Sequence, residues 1–220
     1  MQTPQSCDWN NFWQNKQVSD FAQASWSKKR IIWTIAPFLK SGLKVLDAGC
    51  GSGFFSKYFC DSGLQVFSLD YAQQALTMAQ VITKNRAKTI KEDLLVPNLA
   101  SRLTEKFDVI FSDGLFEHFS LNAQGTIMQN LISVLSPRGI VVTFVPNRWS
   151  PWELIRPFFM PGIEETPFVL KDLVSLHERN QLTILQKGGV NVFPFKISPD
   201  KIFGGTFGML LYTIARKNAS

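Results

Sequence analysis

The chain of 220 residues contains no uninterrupted apolar run near the ~18 residues that a membrane-crossing helix needs, so no transmembrane segment is expected. Cysteine is scarce. Cys7, Cys50 and Cys60 form no C-x-x-C pair, which argues against a disulfide framework and fits a reducing compartment. The opening Met1-Gln2-Thr3-Pro4-Gln5 is polar and lacks the basic-then-apolar order of a signal peptide, so a cytoplasmic protein is expected. Histidine is limited to His118 and His177. There is no internal repeat, low-complexity tract or linker. The formal charge of +6 is scattered, and its one tight cluster, Lys28-Lys29-Arg30, reads as a solvated helix face. No aromatic–basic RNA-binding signature accompanies it, which disfavours a nucleic-acid partner. A mild attraction to anionic substrates or anionic membrane surfaces stays open.

Hydrophobic residues make up 45% and charged residues 18%, a globular balance in a chain long enough for one α/β domain with a full core. The densest signal is Val45-Leu46-Asp47-Ala48-Gly49-Cys50-Gly51-Ser52-Gly53-Phe54-Phe55-Ser56. An apolar run ends in an acid, three glycines alternate, and a helical pattern begins. Glycine allows both the turn and close approach of a ligand to bare backbone. The helix N-terminus beyond it offers free N–H groups. A dinucleotide fingerprint, G-x-G-x-x-G, needs a third glycine where Phe54 stands. An acid two residues ahead of Gly49 suits a ligand with a cationic amine better than a pyrophosphate.

Apolar runs alternate with helical patterns, which predicts a Rossmann-like, doubly wound, mostly parallel seven-stranded sheet with helices on both faces. Strands are expected at Leu43–Leu46, Leu64–Leu69, Ala87–Lys91, Phe107–Phe111, Ile140–Val145, Leu182–Leu185 and Met209–Ala215. Helices are expected at Phe54–Ser62, Ala72–Lys84, Ala123–Leu135 and Val169–Arg179, and Ser136–Gly139 reads as a turn. The chain then divides into a helical cap over 1–40, a cofactor-binding core over 41–145, a substrate lid over 146–168, and a C-terminal helix and strands over 169–220. Five prolines between Pro146 and Pro167 argue against a long regular helix in the lid. In a doubly wound sheet the ligand lies at the carboxyl ends of the strands. Asp70, at the end of the second strand, is placed to accept hydrogen bonds from two ribose hydroxyls and also suits a helix N-cap. Tyr71 lies beside the adenine in that reading.

The pattern Asp47-x-Gly49-x-Gly51-x-Gly53, with Cys50 inside it, resembles motif I of the class I S-adenosylmethionine-dependent methyltransferases. The resemblance implies that the loop packs on the methionine part of S-adenosyl-L-methionine and that Asp47 meets its ammonium. It also implies that Asp93 accepts from the adenine amino group while Leu94 packs on the base. Phe107–Phe119 resembles motif IV, whose strand end, with Ser112 and Asp113, borders the reactive methyl. The Glu117-His118 pair is similar to that of small-molecule methyltransferases, including those of quinone biosynthesis. Ser136–Gly139 resembles an L-x-P-G-G turn, with Arg138 replacing one glycine.

The expected reaction is methyl transfer to a small, apolar or aromatic acceptor. His118 is the first candidate for a base, with Asp113 and Glu117 as alternatives. His177 is expected on a helix surface. Trp13, Trp149 and Trp152 are the candidates to line the acceptor site. No metal is expected, because the Glu-x-x-Glu-His pattern of metal-binding relatives has Gly114 at its first acid. The chain is expected to be a monomer or homodimer. A non-catalytic S-adenosylmethionine-binding regulator stays open, and Phe54 disfavours an NAD(P)-dependent oxidoreductase.

Overall fold

The computed structural model describes residues 9–14, 24–159 and 165–218. Cys7, Pro161 and part of the expected N-terminal cap lie outside the described residues. The elements are α1 (Trp9–Gln14), α2 (Trp26–Ile35), β1 (Lys44–Ala48), α3 (Phe54–Asp61), β2 (Gln65–Asp70), α4 (Gln73–Thr83), β3 (Lys88–Lys91), α5 (Leu99–Arg102), β4 (Phe107–Asp113), α6 (Leu121–Ser133), β5 (Leu135–Pro146), α7 (Trp152–Phe159), α8 (Leu170–Arg179), β6 (Leu182–Val190), α9 (Asp200–Phe207) and β7 (Leu210–Lys217).

The strands form one sheet in the order β3-β2-β1-β4-β5-β7-β6. The first five run parallel, and β7 lies antiparallel between β5 and β6. Strand order reverses between β1 and β4, so a crevice opens beyond their carboxyl ends. Two apolar layers cover the two faces. One gathers Phe67, Phe107, Phe116, Ile127 and Leu131, and the other Ile31, Phe59, Phe111, Phe144 and Ile214. Burial on both faces explains why Ile140–Val145, with only Thr143 polar, reads as a near-continuous apolar run rather than an alternating one.

Three expectations are corrected. Ser136–Gly139 is a wide irregularity within β5, not a turn before it. Phe107 pairs with Leu135 and Val109 with Ile140, so these four residues bulge out of the ladder. Leu182–Leu185 is only the start of a nine-residue strand, because pairing with β7 holds polar Gln186, Lys187 and two glycines in the ladder. His177 is fully buried rather than on a surface. Its Nε2 lies 3.1 Å from Thr143 Oγ1 and 3.2 Å from Thr213 Oγ1, and its Nδ1 2.9 Å from the Leu173 carbonyl. Burial pushes its pKa down to about 4, so it is a neutral core residue beneath β5 and β7. The sequence pattern also missed α9, whose two glycines, Gly204 and Gly205, lower its helix propensity. There the backbones touch. A Cβ on Gly204 would stand 1.9 Å from the Gly189 carbonyl oxygen, so only glycine lets α9 lie on β6.

Candidate active site

The glycine loop leaves β1 and folds back on β2. The N–H groups of Gly49 and Cys50 both donate to the Leu69 carbonyl, at 2.9 and 3.0 Å. Gly49, Gly51 and Gly53 all take positive φ. Gly53 caps α3, and a Cβ there would stand 2.6 Å from Ala79 Cα, so α3 and α4 close together only over glycine. Asp70 ties the loop down. Its Oδ2 accepts from the Gly51 N–H at 3.0 Å and its Oδ1 from the Ala72 N–H at 2.9 Å. It thus organises the start of α4 without being its N-cap residue, which is Ala72. Each oxygen keeps acceptor capacity for a further donor.

Asp47 is 3% exposed and accepts from Ser56 Oγ at 2.6 Å, and Ser56 in turn shares a hydrogen bond with Ser68. Burial pushes its carboxyl up to about 7, while the Ser56 hydrogen bond pulls the other way. A carboxyl held near neutrality this way gains most from an arriving cation. Burial likewise raises Asp70 and, more strongly, the Cys50 thiol, which is therefore not a nucleophile.

These groups line a cavity of about 240 Å³. Asp47, Gly49, Cys50, Gly51, Asp70, Tyr71, Asp93 and Leu94 all reach it. Gly53 and Ser112 do not. Gly53 acts through the helix start, and Ser112 is buried with no hydrogen-bond partner for its Oγ among the described residues. Asp93 is exposed at the rim, where its Oδ1 accepts from the Leu95 N–H at 2.8 Å. Leu94 is buried, and Asn130 Nδ2 fixes its backbone through the Leu94 and Val96 carbonyls, both at 2.8 Å. That leaves a firm apolar wall for a flat ring.

The opposite wall is Asp113, Gly114, Leu115, His118 and Phe119. Burial pushes Asp113 up to about 7, with the Lys28 ammonium pulling it down. Lys28 itself is lowered by burial, raised in turn by Asp113, and its Nζ lies 4.0 Å from the Phe54 ring centre. The Lys28-Lys29-Arg30 cluster is therefore not a solvated face. Lys28 lines the cavity, Lys29 sits over Trp26, and Arg30 is 4% exposed and bound to Asp200. No pattern in the sequence separated these three cations, because their partners are up to 170 residues away.

His118 reaches the cavity and packs edge-on against Trp9, with ring centres 4.7 Å apart. Glu117 points behind it, 3% exposed, with Oε1 at 4.0 Å from His118 Nε2 and Oε2 unpaired. Burial pushes Glu117 well above the usual carboxylate range. Glu165 comes from the segment after α7, and one ligand atom from each of Glu117, His118 and Glu165 lies within 4.8 Å of the others. Arg156 holds Glu153 at 3.0 Å and Glu165 at 3.5 Å. With Gly114 at the first acid position, the set is two carboxyls and an imidazole, one carboxyl buried and the other shared with Arg156.

Trp13 lies over the glycine loop, and a Cβ on Gly51 would meet its ring at 2.8 Å. Trp149 is exposed and Trp152 half-buried, and neither reaches the cavity. Trp9, Phe54 and Phe119 supply the apolar lining that the sequence reading had distributed differently.

A methyltransferase-domain model matches residues 46–143. Among curated proteins, a ubiquinone biosynthesis O-methyltransferase of Leptothrix cholodnii is 32% identical over 140 residues, covering 62% of this chain and 56% of that protein. One from Bartonella bacilliformis is 26% identical over 176 residues, covering 76% and 69%. The chain thus spans little more than half the length of the first relative. A magnesium protoporphyrin IX methyltransferase from Synechocystis PCC 6803, solved with S-adenosylhomocysteine, superposes with a TM-score of 0.63 at 17% identity, covering 87% of this chain and 81% of that one. At that identity the likeness shows the fold.

Proposed function

We infer the following activity for a chain that is a class I S-adenosylmethionine-dependent methyltransferase by its domain match, its relatives and its fold. It moves the sulfonium methyl of S-adenosyl-L-methionine to a small apolar or aromatic acceptor. The observation that carries this is the glycine loop locked to Asp70 on one side of a single cavity, with Asp113 and His118 on the other. In this reading Asp47 meets the cofactor's ammonium, Asp70 the ribose hydroxyls, and Asp93, Leu94 and Tyr71 the adenine. Gly49, Cys50, Gly51 and Gly53 shape the loop, and Ser112 supports the strand end.

The reaction is an in-line displacement. An acceptor lone pair forms the new bond to the methyl carbon as the carbon–sulfur bond breaks, and the sulfur leaves as a neutral thioether. The protein aligns the three atoms and excludes water. Trp9, Trp13, Phe54 and Phe119 supply the apolar enclosure. The relatives' printed name favours a hydroxyl oxygen as acceptor. Its proton then passes to His118, which reaches the cavity, or to Asp113 beside it. Glu117 positions His118 from behind. No metal role is assigned in this reading, because Arg156 already holds Glu165 and Gly114 stands where the first acid of the metal-binding pattern would be.

Residues 41–145 hold the cofactor. Trp9 and Trp13 of α1 close over it, with Trp149 and Trp152 guiding the acceptor from outside the cavity. Among the described residues no helix is long and apolar enough to cross a membrane, which accords with a cytoplasmic location. Calorimetric titration with S-adenosylmethionine, S-adenosylhomocysteine and NADH tests the reading. Micromolar binding of the sulfur ligands alone, weakened in Asp70→Asn, supports it. Binding of NADH alone, or of none, overturns it. Methyl transfer to a phenol or catechol then separates an enzyme from a silent binder.

A further inference from the structure

The carboxyl edge of the sheet carries an apolar surface that the reaction does not use. β5 ends at Pro146 and β6 at Val190, and both pair there with Leu210, the first residue of β7. The connections 147–169 and 191–209 therefore leave the same end of the sheet as the glycine loop and the Asp113 turn. Asn147, fully buried, joins them. Its Nδ2 donates to the Thr206 and Gly208 carbonyls at 2.9 and 2.8 Å, and its Oδ1 accepts from the Trp149 N–H at 3.2 Å.

The second connection has its polarity reversed. Phe195 is 66% exposed, Ile197 84% and Ile202 77%, and Phe193, Phe203 and Phe207 are about half exposed. Asn191, Ser198 and Asp200 turn inward instead. Arg30 on α2 binds Asp200 Oδ2 at 2.8 Å, Asn191 Oδ1 at 2.7 Å and the Phe195 carbonyl. Asp200 Oδ1 also accepts from the Val192 N–H at 2.9 Å, and Ser198 Oγ from the Phe193 N–H at 3.0 Å. A loop tied this tightly is not apolar outside for lack of order. The other connection also exposes apolar side chains, Leu154 and Phe158 on α7.

The charge on this surface selects the occupant. Arg30 takes up Asp200, so the charges that the segment 192–207 shows to solvent are Lys196 and Lys201. A second copy seated on the same face would bring lysines of one copy toward lysines of the other, with no exposed acid in this segment to pair them. An anionic bilayer meets both demands, with phosphates for the lysines and the acyl boundary for the rings.

We propose that Phe193–Phe207 is a docking surface for an anionic phospholipid membrane, which it meets with the cavity end of the sheet facing the lipid. An apolar acceptor dissolved in the bilayer then reaches the active site without crossing water.

Flotation of the full chain with vesicles tests this, and needs neither cofactor nor acceptor, so its failure leaves the methyl-transfer reading standing. The wild type floats with vesicles of phosphatidylcholine and phosphatidylglycerol in equal parts, and far less with phosphatidylcholine alone. Phe195→Ser with Ile197→Ser lowers partitioning by about tenfold or more. Lys196→Glu with Lys201→Glu does the same at low salt. Because all four side chains are exposed, cofactor affinity stays unchanged. Hydrogen exchange of the wild type slows over 192–207 when the mixed vesicles are added, a readout free of any substitution. Three results overturn the proposal: no flotation of the wild type, exchange unchanged over 192–207, or self-association that these variants abolish without vesicle binding.

Discussion

The Gly51 N–H donates to Asp70 Oδ2 across 3.0 Å, and this bond joins the turn after β1 to the end of β2. The same carboxylate anchors Ala72, so one side chain shapes both loops over which the nucleoside would lie. Asp70→Asn keeps an acceptor for one of these N–H groups but loses the charge. It should weaken S-adenosylhomocysteine binding by tenfold or more, given about 1.5–3 kcal/mol for hydrogen bonds to a charged group. Calorimetry at neutral pH reads this. An unchanged affinity would remove Asp70 from the site.

Gly53→Ala forces a Cβ to within 2.6 Å of Ala79 Cα at a φ of +77°. Left-handed strain and overpacking together should cost about 2–4 kcal/mol in urea unfolding. Gly125→Ala is the control, because nothing lies within 4 Å of the added carbon in the middle of α6. It should gain up to ~1 kcal/mol.

Proton linkage should mark cofactor binding. In the empty site burial holds Asp47 up near 7. A bound ammonium favours the carboxylate, so below that value binding must expel a proton. Affinity should therefore rise with pH by up to about tenfold per unit below 7, and level off above it. Titrations in buffers of different ionisation heat count the released protons. Asp47→Asn should flatten the slope, leaving only the share that Asp113 on the opposite wall contributes.

His177 has the opposite sign from Asp47. Its pKa falls to about 4 in the folded state from an ordinary value of 6.5, so the unfolded chain binds its proton first. The stability it contributes is intact above pH 6.5 and declines as pH falls toward 4, by roughly 3 kcal/mol in all. Raised carboxyls such as Asp47 work the other way over this range, but they are shared with a His177→Gln variant and cancel in the difference. Unfolding free energies of the two proteins should therefore converge by about that amount between pH 8 and pH 4. A constant difference would mean that the imidazole titrates normally.

Trp13 and Trp149 should separate. Trp13 lies on the glycine loop and Trp149 stands outside the cavity. Trp13→Ala should weaken cofactor binding several-fold, from the loss of a large apolar contact. Trp149→Ala should leave cofactor affinity unchanged. Equal losses in both would place Trp149 in the cofactor site.

What the sequence determined by itself was local and periodic. The run Val45–Ser56 dictates a strand, a glycine turn and a helix, because spacing and missing Cβ atoms act within a dozen residues. Asp70 was legible for the same reason, since it closes the mostly apolar run Leu64–Leu69, whereas Asp93, behind Lys91 and Glu92, was expected only from the family resemblance. The bulge at Ser136–Gly139, the length of β6 and helix α9 were not legible, because partner strands and a glycine–glycine contact between Gly189 and Gly204 override weak local preference. Charge placement was decided only by the tertiary structure. Three successive cations went to a cavity, a tryptophan face and the half-buried carboxylate of Asp200, and the two histidines to a cavity wall and the core. Desolvation depends on what packs around a group, and the neighbours that decide it here include Asp200 for Arg30 and Thr143 and Thr213 for His177, all distant in sequence.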